Sequence, residues 1–185
     1  MKIIFSKPGK TSKHRLLWAG AVMVLLAAGV LTVSRPAYVL TITDASSGRR
    51  LHERAARPGD NLWICFINSV ENLPVADHFS VDARYRLVFT ETIFQAPYAG
   101  YVRPERGGKT ELVAPGTTRI SGYNREMEEV TFFAGYVSRH LLFLNGHWLS
   151  LYEAAKGGDL IRIRVEKRAA WRSIFKTDRI TGWTR

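Results

Sequence analysis

Eighteen consecutive residues, from Leu16 to Val33, carry no charge: "LLWAGAVMVLLAAGVLTV". As a helix rising about 1.5 Å per residue, such a run covers roughly the hydrocarbon thickness of a bilayer. A buried soluble helix would show polar positions on one face, and this run shows none. Arg35 and Pro36 end it. Five Lys/Arg (Lys2, Lys7, Lys10, Lys13, Arg15) and no acid precede it. The positive-inside rule therefore keeps the N-terminus in the cytoplasm and sends the rest of the chain across. The competing reading is a cleaved signal peptide. The run is longer than the usual apolar core of such a peptide, and the small-residue stretch Ala27-Ala28-Gly29 lies inside the run. The expectation is an uncleaved single-pass anchor over residues 16–34, bounded by Leu16 and Val33, with Trp18 at the interface.

The charge agrees with that layout. Of 27 Lys/Arg and 16 Asp/Glu, residues 1–15 hold five bases and residues 167–185 six bases and one acid, so the middle keeps 16 bases and 15 acids. A nucleic-acid module would carry its basic patch on the folded domain, so no nucleic-acid partner is expected. The single cysteine, Cys65, forbids an internal disulfide. It sits in the apolar "LWICFI", where a small buried hydrophobe is the ordinary reading.

After Pro36 the hydrophobic period shortens to that of strands. "AYVLTITD" and "RLHERA" flank a turn cluster, and "NLWICFIN" does not alternate, as an interior strand covered on both faces would not. "ADHFSVD" and "RYRLVFTETIF" follow. "EVTFFAGYV", "HLLFL" and "HWLSLY" come later, the last two joined by Asn145-Gly146, whose residues suit a type I′ hairpin turn. "LIRIRVEKR" alternates, with Ile161, Ile163 and Val165 inward. Nine or ten strands without an amphipathic helix over 37–167 predict an all-β antiparallel β-sandwich or small β-barrel as an ectodomain behind one transmembrane helix. The Pro- and Gly-rich stretch over 95–118 reads as irregular loop and a contact surface. The basic tail over 168–185 places Trp171, Ile174 and Phe175 at helical spacing, which suits either a short membrane-surface helix or a solvated terminus.

The candidate site lies in "NSVENLPVADH". Asn68, Ser69, Glu71, Pro74 and Asp77 are the candidate partner- or ligand-binding residues. Glu71, Asp77 and His78 form the only candidate acid–base group, with Ser69 as its nucleophile. No nucleophile elbow, HExxH or phosphate-binding loop accompanies them, so no catalytic residue is assigned. His14, His52, His78, His140 and His147 show no metal-ligand spacing, so no metal and no cofactor is expected. The ordinary alternative is a turn in which Asn68, Ser69 and Asn72 bond nearby backbone, Pro74 limits pairing, and the acids meet Arg84 or Arg86.

Residues "FINSVENLPVADHFSVD…LVFTETIFQAPYAG" and "SRHLLFLNGHWLSLYEAAKGGDLIRIRVEKR" resemble a small bacterial family of unknown function. Its hallmark is a His-Ser-Val-Glu-x-x-Pro-Val motif. The resemblance spans about residues 38–168. Ser69, Val70, Glu71, Pro74 and Val75 match the motif, and Asp77 stands for the usual Glu. Asn68 replaces the usual His, and "YAGYVRP" loses the first Gly of a later segment. Members are found beside or fused to TAXI-type TRAP transporters. The resemblance implies an accessory or binding module, with the permease or the solute-binding protein as partner. Its expected location is the bacterial inner membrane with the main domain in the periplasm. A metal- or ligand-dependent hydrolase at Glu71, Asp77 and His78, or a purely structural envelope domain, are the alternatives.

Overall fold

The structure is a computed structural model that describes residues 15, 17–25, 36–95, 108–169 and 183–184. Its strands are β1 (Pro36–Asp44), β2 (Arg50–Ala55), β3 (Asn61–Ile67), β4 (Pro74–Val81), β5 (Leu87–Gln95), β6 (Lys109–Ala114), β7 (Thr117–Met127), β8 (Glu129–Phe133), β9 (Leu141–Leu144), β10 (His147–Ser150), β11 (Leu160–Ala169) and β12 (Trp183–Thr184). A single helical turn, Leu151–Ala154, follows β10. The strands form a four-stranded sheet, β2-β1-β11-β8, and an eight-stranded sheet, β12-β10-β9-β3-β4-β5-β7-β6. All pairings between neighbours are antiparallel. The all-β, sandwich-like expectation holds in this form.

Alternation decides what faces inward. Leu40 and Ile42 of β1, with Ile161 and Ile163 of β11, are fully buried. They join Leu62, Ile64, Phe79, Leu142, Leu144 and Leu149 of the large sheet in one core. β3 is central in its sheet, bonded to β4 on one side and β9 on the other, but it is not covered on both faces as its non-alternating sequence predicts: Leu62 and Ile64 are buried, while Trp63 and Cys65 are partly exposed. Asn145 and Gly146 take φ of 47° and 91°, the left-handed values that a two-residue hairpin turn needs.

Three sequence readings are corrected. Residues 108–118 are not irregular loop: β6 and β7 form a hairpin whose turn is Pro115-Gly116, so these two residues are a tight turn's chemistry. Residues 96–107 lie outside the described residues. "EVTFFAGYV" is a strand only to Phe133, and 134–140 forms turns, because Ala134 N–H turns to the Asp159 carbonyl (2.8 Å). "HWLSLY" stops at Ser150, where Leu151 N–H bonds the His140 carbonyl (3.0 Å) and opens the helical turn.

Residues 17–25 are helical with every side chain exposed. The rest of the 16–34 span, Leu16 and Val33 included, lies outside the described residues, as does the 168–185 tail apart from its first two residues and Trp183–Thr184. Among the described residues no helix is long and apolar enough to cross a membrane.

The registers define two poles. Pro36 pairs with Ala169 at one end of β1, and Asp44 with Ile161 at the other, about 27 Å away at strand rise. Tyr38 stacks on Tyr85 (3.9 Å between rings) near the Pro36 end. At the Asp44 end, Ile67 N–H donates to the Ser138 carbonyl (2.8 Å) and Gly158 N–H to the Ala134 carbonyl (2.7 Å). The turns at 68–73, 134–140 and 155–159 therefore share the pole farthest from Pro36.

Candidate functional site

The 68–73 segment is the turn of the β3–β4 hairpin, with Ile67 paired to Pro74. Asn68 builds it: its N–H donates to the Leu73 carbonyl (2.9 Å), and its Oδ1 accepts from the N–H of Val70 (2.8 Å) and Glu71 (3.4 Å). A side chain that mimics the backbone in this way is the reason for Asn here. Asn72 takes a left-handed φ of 54°. The strands pair through to Pro74, so proline does not separate them, contrary to the sequence reading. Asn68→Ala removes the two bonds to Oδ1 and should cost about 1 kcal/mol, while Asn68→Asp should cost less, both read by urea denaturation.

Ser69, Val70, Glu71 and Pro74 stand exposed on this turn. Beside them Ile67, Asn72, Tyr136, Val137 and Arg139 line an open cleft. Two large apolar side chains of its lining stand in solvent, Tyr136 (71% exposed) and Val137 (67%), and Val70 (76%) is exposed on the 68–73 turn that contributes Asn72 to the same cleft. Gly157 makes room for the Tyr136 ring, since a Cβ there would fall inside it. Tyr136, Val137 and Arg139 escaped the sequence reading because "AGYV" was taken as the end of a strand; Ala134-Gly135 was the available turn signal.

Asp77 and His78 part company at the strand. Successive residues of β4 face opposite sides. Asp77 lies between Ile64 and Thr92 on the inner side and accepts from the Thr92 hydroxyl (2.7 Å). Burial pushes its carboxyl up to about 6, against the smaller opposing effect of that hydrogen bond. Neither Glu71 nor Asp77 meets Arg84 or Arg86. Arg86 instead holds Asp82 through Nε (2.9 Å) and Nη2 (2.6 Å), and also reaches Glu126.

His78 faces outward. Its ring stacks on Trp63 (4.3 Å), with Thr90 Oγ1 at 2.7 Å from Nδ1 and Asn61 Oδ1 at 3.1 Å from Nε2. Glu91, 3.9 Å from Nδ1, is held by Arg119 Nε at 2.6 Å. Partial burial lowers the imidazole's pKa, while Glu91 raises it. His52 belongs to β2 of the other sheet. Glu71, Asp77 and His78 thus occupy a turn tip, an inner face and an outer face, and they make no acid–base constellation. Among the described residues no three His, Cys, Asp or Glu side chains gather in a way that could hold a metal. Cys65 is half-buried, and burial, then the Asp77 charge, push its thiol up, which keeps it protonated at neutral pH.

Behind the pole, His140 is buried between the rings of Phe66 (5.3 Å) and Phe132 (4.6 Å). Burial pushes its pKa down to about 4. Its Nδ1 has no hydrogen-bond partner among the described residues. Compared with known proteins, the chain matches no family model, no curated protein and no solved structure.

Proposed function

We propose that this chain is a membrane-anchored, extracytoplasmic β-sandwich module that acts by binding another protein, without catalysis, through the pole that carries 68–73 and 135–139. The carrying observation is the exposed apolar pair Tyr136 and Val137 lining the cleft with Ile67, Asn72 and Arg139, beside the turn on which Val70 is also exposed. Apolar side chains of this size clustered in solvent mark interaction surfaces, and Tyr and Arg are the residues that most often dominate their energetics. The pole lies a full strand length from Pro36, where residues 16–34 would join the domain to the bilayer. That layout turns the contact surface away from the inner membrane. Glu71 at the turn tip supplies a charge at the rim.

The resemblance over residues 38–168 directs the choice of partner toward the permease or the solute-binding protein of a TAXI-type TRAP transporter. The test is photo-cross-linking from position 136 in membranes that contain both components. Capture of either is expected, and Val70→Asp with Tyr136→Ala should cut the yield about tenfold or more with the melting temperature unchanged. A yield indifferent to both substitutions would remove the pole from the interface. A purely structural envelope domain predicts no captured component at all.

A further inference from the structure

The end of the sandwich around Pro36, opposite the proposed contact pole, gathers exposed bases. Three of them are placed by Tyr38, two residues into β1. Lys167 of β11 is its cross-strand partner. Arg57 follows Ala56, whose N–H donates to the Tyr38 carbonyl (2.8 Å). Arg84 precedes Tyr85, whose ring stacks on that of Tyr38. The turns that carry Arg57 and Arg84 are tied to each other as well, since Gly59 N–H donates to the Val81 carbonyl (2.8 Å). All three bases are exposed, and none forms an ion pair among the described residues.

The acids of this end are engaged by other groups. Asp82 accepts the N–H of Arg84 (2.9 Å) and of Arg86 (2.8 Å) on one oxygen and holds the Arg86 guanidinium with the other. The carboxylate thereby shapes the turn, in which Tyr85 takes a left-handed φ of 62°, and leaves the Arg84 guanidinium to solvent. Buried Asp60 repeats the arrangement. It accepts the Arg57 N–H (2.9 Å) and the Asn145 side-chain amide (2.6 Å) and faces Arg54 at 3.6 Å, so the Arg57 guanidinium has no share in it. Beside Lys167, Glu166 holds Arg164 and Arg168, and Glu53 holds Arg50 and Arg168. Glu126 meets Arg86, while exposed Arg125 and Glu128 cancel in net charge. The residues outside the described set do not supply the missing acids: they contain two, Glu105 and Asp178, against eleven bases.

We infer that this end docks on the anionic phospholipid headgroups of the bilayer that holds residues 16–34, with Arg57, Arg84 and Lys167 on headgroup phosphates. The inference rests on the anchored reading above, because residue 36 follows that segment almost directly. Surface bases are ordinarily interspersed with acids, and a cluster of one sign next to an anchor lies within reach of the headgroup field. A guanidinium takes phosphate oxygens in pairs, and an ammonium acts on them as a point charge. An acidic protein segment would meet the same charges, but the place of the cluster beside residue 36 selects the bilayer. Docking fixes what a lone anchor leaves free, the tilt of the domain, and so holds the far pole away from the surface.

The test places the full chain in nanodiscs of phosphatidylcholine alone and in discs of which about a third is phosphatidylglycerol, each with a headgroup-nitroxide lipid as quencher. A fluorescent amino acid stands at position 83, between Asp82 and Arg84, and in a second preparation at position 71 on the far turn. Quenching at 83 should rise about twofold or more with phosphatidylglycerol and fall back at about 0.5 M salt, while quenching at 71 stays at background. Arg57→Gln, Arg84→Gln and Lys167→Gln together should abolish the rise. Arg49→Gln, Arg139→Gln and Lys156→Gln together remove the same charge from exposed positions of the far pole and should leave the rise intact. Quenching at 83 that ignores phosphatidylglycerol would overturn the inference. So would a rise that survives the first triple variant, which would assign it to the bases beyond residue 169. The lipid and salt series need neither triple variant, so they decide the matter even if one folds poorly. Retention on neutral discs at the same high salt reports the anchor separately. Without retention the anchored reading fails, and the inference then stands only if binding to the anionic discs at low salt needs the same three bases.

Discussion

Asp77→Asn should make the protein more stable at pH 7.5, by on the order of 2–3 kcal/mol, and no more stable at pH 4. The carboxyl moves from its ordinary 3.8 to about 6 on folding, chiefly through burial. Each pH unit of such a shift corresponds to about 1.4 kcal/mol. Between these two values the folded chain holds a proton that the unfolded chain has released. Stability therefore falls as pH rises through the window, and the deficit is complete above it. Asparagine cannot ionise, and its side-chain oxygen can still accept from Thr92. Chemical denaturation at the two pH values checks the result, with an expected rise in melting temperature of about 5 °C at pH 7.5 for a chain this size. A loss of stability at pH 7.5 would mean that groups outside the described residues compensate the carboxylate.

His140→Phe is the complementary experiment. The imidazole falls from 6.5 to about 4 on burial between Phe66 and Phe132. Here the unfolded chain takes up the proton first, so stability is lost as pH falls from about 6.5 to about 4. The loss is on the order of 3 kcal/mol, and phenylalanine should abolish it while changing stability at pH 7.5 by less than about 1 kcal/mol. The two groups have opposite slopes over nearly the same window. The unmodified protein should accordingly show a flat stability profile between about pH 4 and 6. Asp77→Asn should expose a steep acid loss, and His140→Phe an acid gain. The depressed carboxyls of Asp44, Asp82 and Glu166 act lower down, where their stabilisation is lost as pH falls through their folded values. His78, also lowered by burial, adds to the acid loss in the upper window.

Periodicity made the architecture legible wherever one side of a strand is buried and the other wet. "LIRIRVEKR" and "HLLFLNGHWLS" gave β11 and the β9–β10 hairpin almost residue for residue, because alternation and left-handed turn residues are local requirements. The β6–β7 hairpin was illegible for the opposite reason. All six residues of β6 are exposed, so nothing selects an apolar face, and the Pro and Gly of its turn read as irregular loop over the whole stretch. The grouping of Asp77 with His78 had its refutation in the sequence: once "ADHFSV" is a strand, neighbours must point apart. What no local pattern could give is the arrangement of the far pole. The 68–73 turn and Tyr136 and Val137 come to one cleft through bonds such as Ile67 N–H to Ser138, which depend on the order of strands across two sheets.

The nine-pair ladder between β1 and β11 has a mechanical consequence. Pro36 begins the strand at one end, and the proposed contact pole lies beyond its other end. A pull between the N-terminal side and that pole runs along the strands. It loads the β1–β11 hydrogen bonds together, in shear, where they resist as a set. A pull that separated residues 36 and 169, which sit opposite each other, would instead open the same bonds one at a time. Tension between residue 36 and the far pole would thus be carried lengthwise by this ladder, whereas drawing residues 36 and 169 apart would unzip it.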